Sequence, residues 1–262
     1  MRCIQIGSGH LYYSKHAGGN KILLAFHGFG QDNEIFSDWI EVLDKEYTVY
    51  AFDLFHHGKS IRDNKKLTKN EWTHYIQTFI TQENIQEFSL VGFSLGGRFA
   101  ISTALAYPKH TKELILIAPD GIFLSLWFRL ATNPVFKWVF RYFMFHPNRL
   151  DRLVTFNDKY GLVSPYLGDF VRKEMNTIES RKRVYLSWNH FKSLGYSKKQ
   201  LSMLFNRHAF GRRIILGSKD HIIHPTQILP LIEKMGDFSV DILPMKHHQL
   251  IKTEVAKLIA NK

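Results

Sequence analysis

The chain predicts an α/β protein with a mainly parallel central sheet and helices on both faces. Three observations carry this prediction. Short continuous apolar runs, such as Ile22 to Phe26, Tyr47 to Phe52 and Phe88 to Phe93, alternate with segments of helical spacing, the pattern of buried parallel strands joined by crossover helices. Within residues 87–107, EFSLVGFSLGGRFAISTALAY, a strand pattern passes into a helical one across the five residues Gly92-Phe93-Ser94-Leu95-Gly96. A length of 262 residues suffices for one large core, or for one core plus an inserted subdomain.

In chain order, strands are expected at Cys3 to Ile6 and His10 to Ser14, then a turn at Ala17-Gly18-Gly19-Asn20. The buried run Ile22 to Phe26 ends on His27-Gly28-Phe29-Gly30. Helical spacing over 34–45 (Ile35, Trp39, Val42, Leu43) leads to the buried strand Tyr47 to Phe52, which closes on Asp53. A helix over about 70–84 precedes the strand that starts at Phe88. Beyond the helix marked by Leu95, Phe99, Ala100, Thr103, Ala104 and Tyr107 comes a strand from Glu113 to Ala118, followed by a long middle region. A strand from Arg213 to Leu216, a helix after Pro225, a strand from Phe238 to Leu243 and a helix running to Lys262 complete the alternation.

The strand–turn–helix at Ser94 has chemical content. So tight a turn pushes the serine side chain out above the strand end, and Cβ atoms at 92 and 96 would strike neighbouring backbone, which accounts for glycine at both. The N–H of Leu95 falls at a helix N-terminus, where unsatisfied donors and the helix dipole favour negative charge. A nucleophile and half of an oxyanion site thus come from one short stretch.

Composition bounds the class. Hydrophobic residues make up 45% and charged residues 22% of the chain, ordinary for a globular protein. The 35 Lys and Arg against 23 Asp and Glu give +12, compatible with nucleic acid, an anionic membrane surface or an acidic substrate until the charge is located. One cysteine, Cys3, excludes an intrachain disulfide and makes a reducing compartment the default. The opening MRCIQIGSGH lacks an apolar signal region, so a cytoplasmic location is expected.

Five stretches in order give the chain a resemblance to the α/β-hydrolase superfamily: HGFG (27–30), FDLFHHGKS (52–60), GFSLGG (92–97), LGSKDHIIHP (216–225) and LPMKHHQL (243–250). It departs from the family pattern at His56, where glycine is usual, and at Lys246 or His247, one of which stands in the glycine slot before the catalytic histidine. The resemblance implies a hydrolase core over 1–118 and 206–262 with a helical cap over 119–205. It also implies a Ser–acid–His order, met by Ser94, Asp220 and a histidine of the 243–250 loop. Motif fit prefers His248 as the base, with His247 as the alternative. The oxyanion donors would be the backbone N–H groups of Phe29 and Leu95. His27 and His57 are expected to anchor loops. The reaction implied is cofactor-independent cleavage of a small-molecule carboxylic ester or thioester with a hydrophobic acyl or aryl part. C–C bond hydrolysis on the same residues and a non-catalytic ligand-binding role are the alternatives.

No metal is expected, because His221 and His224 stand in helical spacing without an HExxH pattern or a cysteine cluster. No nucleic-acid or dinucleotide motif accompanies the positive charge. That charge is concentrated: residues 119–210 hold 15 Lys and Arg against 6 Asp and Glu, with Trp127, Trp138 and Trp188 and eleven phenylalanines. Trp127 and Trp138 are therefore candidate substrate-binding residues. The helical stripe Val135, Trp138, Val139, Tyr142 and Phe143 is expected to pack inward. An interfacial helix on an anionic membrane is the less favoured alternative, and Arg129, Pro134, Lys137 and Arg141 exclude a bilayer-spanning segment there.

Overall fold

The structure, a computed structural model, describes residues 1–122, 132–133, 137–146, 149, 152 and 175–260. It divides into two compact units, one of residues 1–63, 67–123 and 193–262 and one of residues 64–66 and 124–192. The division is narrower than the expected insertion of 119–205: the helix Lys198–Arg207 groups with the larger unit.

The larger unit is built on an eight-stranded sheet in the order β1-β2-β4-β3-β5-β6-β7-β8. Its strands are β1 (Arg2–Ile6), β2 (Gly9–His16), β3 (Lys21–Phe26), β4 (Tyr47–Phe52), β5 (Phe88–Phe93), β6 (Thr111–Ile117), β7 (Gly211–Gly217) and β8 (Ser239–Leu243). β2 pairs antiparallel with β1 and β4, and every other pairing is parallel. The apolar runs are strands for the reason the sequence suggested: β4 and β5 are buried along their whole length, as sheet strands covered on both faces must be.

The helices of this unit are α1 (Ser37–Leu43), α2 (Lys69–Glu83), α3 (Gly96–Ala106), α6 (Lys198–Arg207), α7 (Pro225–Ile232) and α8 (Thr253–Ala260). Among the described residues of the smaller unit are α4 (Lys137–Phe145) and α5 (Ile178–Phe191), which pack on each other. α2 begins at a capping box in which Thr68 and Glu71 satisfy each other's backbone N–H groups. It ends at Asn84 in the left-handed conformation.

Chain direction assigns the helices to faces. From β3 the chain moves one way along the sheet to β4, whereas β4 to β5, β5 to β6, β6 to β7 and β7 to β8 all move the other way. Right-handed crossovers then place α1 on one face and α2, α3, α6 and α7 on the opposite one. The contacts agree. Trp72 Nε1 of α2 donates to Thr103 Oγ1 of α3 at 3.0 Å, and Trp72 meets Phe26 and Phe99 edge-on. On the α1 side, Trp39 Nε1 donates to Ile251 O at 2.7 Å, joining α1 to the entry of α8. The direction reverses between the neighbouring strands β3 and β5, and the crevice outside the carboxyl ends of such strands is where ligands bind in open α/β sheets. HGFG leaves β3 and Ser94 leaves β5 at this point.

Candidate active site

Ser94 sits between β5 and α3 with φ of 49°, a left-handed backbone on a non-glycine residue. Such strain persists only where the surroundings over-determine it. Here they do: Ser94 N donates to Ile117 O at 2.9 Å, and Ser94 O accepts from Gly97 N at 2.9 Å and Asp120 N at 2.8 Å. The flanking glycines answer to close approach. A Cβ on Gly96 would lie 2.0 Å from Phe26 O, and one on Gly92 would lie 2.6 Å from Gly96 O. Ser94 is half-buried, and Leu95 is the N-cap of α3, so its N–H is among the donors that the helix cannot satisfy internally.

The HGFG loop is held from several sides. Gly28 N donates to Gln31 Oε1 at 2.9 Å. His27 is fully buried; Leu54 N donates to its Nε2 at 3.0 Å, so the ring proton resides on Nδ1 and is given to Gly28 O at 2.6 Å. His57 Nδ1 donates to Phe55 O at 3.1 Å, and its ring meets those of His27 and Phe29, each at 5.3 Å. Buried Asp53 ties the neighbouring loop, accepting from Asn33 N and Nδ2 on Oδ1 and from Lys59 N on Oδ2. His56, where the resembling family has glycine, has φ of 68°. The left-handed conformation explains the usual glycine, and histidine is among the residues that enter it most readily.

Asp220 follows β7 and is fully buried. Its Oδ1 accepts from Ile222 N at 2.8 Å and Ile223 N at 2.9 Å. Its Oδ2 accepts from His247 Nδ1 at 2.7 Å. With that nitrogen donating, Nε2 of the neutral ring carries the free lone pair. The His247 ring lies 5.1 Å from the ring of Phe93, the residue before Ser94. The preference for His248 is therefore corrected: the histidine joined to Asp220 is His247, and His248 is exposed. The two open a 3-10 turn, His247–Gln249, in which successive side chains diverge by about 120°. Leu250, buried at its end, and the bond from Lys246 N to Gln249 Oε1 fix which one points inward.

Other expected positions fall elsewhere. Trp138 is 69% exposed, and Trp127 lies outside the described residues. His221 and His224 precede α7 and do not share a helical face; His224 is its N-cap, with Nδ1 2.8 Å from Thr226 Oγ1. Among the described residues, no group of three or more His, Cys, Asp or Glu side chains gathers as a metal site. Sequence reasoning missed a partly buried ion pair beside Ser94. Arg98 of α3 is 1% exposed and forks onto Asp120, with Nε to Oδ2 at 2.7 Å and Nη2 to Oδ1 at 2.8 Å. The available signal was one arginine in an otherwise uncharged helix, GGRFAISTALA.

The family model for the alpha/beta hydrolase fold matches residues 21–252. Among curated proteins, an abhydrolase domain-containing protein of Caenorhabditis elegans is 35% identical over 103 residues, 38% of this chain and 23% of that protein. The matched stretch likewise spans less than two fifths of the other first relatives, 36% and 29% of two more. A pimeloyl-[acyl-carrier protein] methyl ester esterase of Wigglesworthia glossinidia brevipalpis is 24% identical over 90% of both chains. Among solved structures, a thermophilic esterase from Thermogutta terrifontis superposes with a TM-score of 0.70 at 16% identity, covering 100% of this chain and 97% of that one. The last is a likeness of fold.

Proposed function

Because the chain belongs to the alpha/beta hydrolase fold family, we propose that it is a serine hydrolase that cleaves a carboxylic ester or thioester through an acyl-enzyme on Ser94. The observation that carries this reading is the Asp220–His247 hydrogen bond, made by a ring that packs on the residue preceding Ser94. Ser94 Oγ adds to the substrate carbonyl while His247 Nε2 takes its proton. The carbonyl oxygen becomes an oxyanion held by the N–H groups of Phe29 and Leu95. Collapse expels the alcohol or thiol, which leaves with the proton from His247, and water enters by the same route in reverse to release the acid. Asp220 keeps the imidazole in the required tautomer and stabilises its protonated form. The likeness to an ester hydrolase over 90% of both chains supports an ester as substrate. Eleven phenylalanines within 119–210 support a hydrophobic acyl or aryl part.

The test is labelling by a fluorophosphonate, which reacts only with an activated serine. Wild-type protein should label and Ser94→Ala should not. A folded wild-type protein that resists labelling would overturn the proposal in favour of ligand binding without turnover.

A further inference from the structure

Most of the net positive charge of this chain belongs to its smaller unit. Residues 64–66 and 124–192 hold 14 Lys and Arg against five Asp and Glu, which is +9 of the chain's +12. Among the described residues of that unit, Glu179 is the one carboxylate. Within it, α4 buries Met144, 2% exposed, and turns a different face outward. Trp138 is 69% and Phe145 45% exposed, two helical turns apart, with exposed Arg141 between them. Phe145 leans edge-on against Tyr185 of α5 at 6.0 Å, and Arg149 lies over the ring of Tyr142 at 5.4 Å. Arg149 and Arg152 are also exposed. The inward packing expected of Trp138 is thus not what the helix does: its largest aromatic ring is on the surface, as is its one arginine, Arg141.

We infer that this unit docks on an anionic lipid bilayer through the exposed face of α4, with Trp138 and Phe145 entering the headgroup region and Arg141 and Arg149 meeting lipid phosphates. A bilayer suits this surface better than an acidic protein does. Tryptophan is amphipathic and settles at the depth of the headgroups, and arginine stems lie along apolar surface while their charged ends reach the phosphates. A helix lying in the interface needs an apolar row flanked by cations and no shaped pocket, which describes α4. The unit's excess charge supplies the attraction, each basic side chain near an anionic surface strengthening binding by roughly fivefold. Among the described residues no helix is long and apolar enough to cross a membrane. The inference does not depend on Ser94 being a nucleophile.

Flotation of the full chain with phosphatidylcholine vesicles, with and without phosphatidylglycerol, tests it. Binding to phosphatidylglycerol vesicles at low salt is expected, falling by at least about tenfold at about 0.5 M salt, where the Debye length shrinks to a few ångströms. Trp138→Ala with Phe145→Ala should weaken binding by about tenfold, and Arg141→Glu with Arg149→Glu should abolish it. These side chains are exposed, and an unchanged circular dichroism spectrum will establish that each variant is folded. The emission attributable to Trp138, taken as wild type minus Trp138→Phe, should shift to the blue on phosphatidylglycerol vesicles. Failure to bind them at low salt overturns the inference. So does binding that the aromatic double variant keeps in full, which would be diffuse attraction of charge. Retention on soluble polyglutamate without vesicle binding would replace the bilayer by an acidic protein.

Discussion

Asp220 divides its carboxylate between two tasks, one oxygen accepting the N–H groups of Ile222 and Ile223 and the other accepting His247 Nδ1 at 2.7 Å. The first task fixes the direction of the second. Two backbone donors on Oδ1 hold the carboxylate plane, so Oδ2 is presented at full burial to the one histidine that the loop after β8 can bring to it.

That arrangement separates the two histidines. His247→Ala should lower kcat for a chromogenic ester by about a thousandfold or more, as the loss of one member of a unit does. His248→Ala should keep most of the activity, because its ring is exposed. The opposite result would return the base to His248.

Asp220→Asn tests orientation apart from packing. The amide oxygen can still accept Ile222 N and Ile223 N, so the fold should persist. The amide nitrogen then faces His247 Nδ1, two donors meet, and the ring adopts the wrong tautomer. A loss in kcat of about 10⁴ is expected with melting temperature nearly unchanged. Activity within tenfold of wild type would remove Asp220 from the mechanism.

The Arg98–Asp120 pair braces the turn that carries Ser94, since the backbone N–H of Asp120 donates to Ser94 O while its carboxylate holds Arg98. Arg98→Ala leaves an apolar space and a partly covered carboxylate, and it should cost about 3 kcal/mol in urea unfolding. Arg98→Lys should recover only part of this, because lysine has no planar fork. A cost below about 0.5 kcal/mol, the range of surface substitutions, would show the pair to be dispensable.

Acid stability should depend on Glu83, at the end of α2. Burial opposes its charge, but hydrogen bonds from Tyr13, Arg2, Lys15 and Tyr50 outweigh that and bring its pKa from 4.5 down to about 2. A depressed carboxylate stabilises the fold above its unfolded value, and the contribution fades as pH falls from about 4.5 toward 2. On the order of 2–3 kcal/mol is at stake. Glu83→Gln should be less stable than wild type at neutral pH and converge with it only as pH falls to about 2. Parallel pH profiles for the two proteins would contradict this.

What the sequence determined by itself is local in origin. The turn around Ser94 was legible because so tight a strand-to-helix turn leaves no room for a Cβ at Gly92, which would strike Gly96 O within the same turn; Gly96 itself answers to Phe26 O of β3, a proximity that strand pairing imposes. The strands were legible because burial on both faces leaves continuous apolar runs, so β4 and β5 begin and end where the pattern does. His56 stood out as a departure and proved to mark a left-handed backbone.

What only the tertiary structure decided depends on which side of an element meets a distant partner. His247 and His248 are chemically identical neighbours, and a 3-10 turn aims them about 120° apart. Which one reaches Asp220, 27 residues earlier in the chain, is set by how Leu250 and Gln249 seat the loop. Arg98 finds Asp120 only once β6 has paired with β5. The period of α4 announced a stripe, but periodicity is blind to which flank another helix covers, and packing on α5 left Trp138 outside. Local backbone geometry is written in consecutive residues, whereas orientation is a property of contacts that the chain makes with itself across long separations.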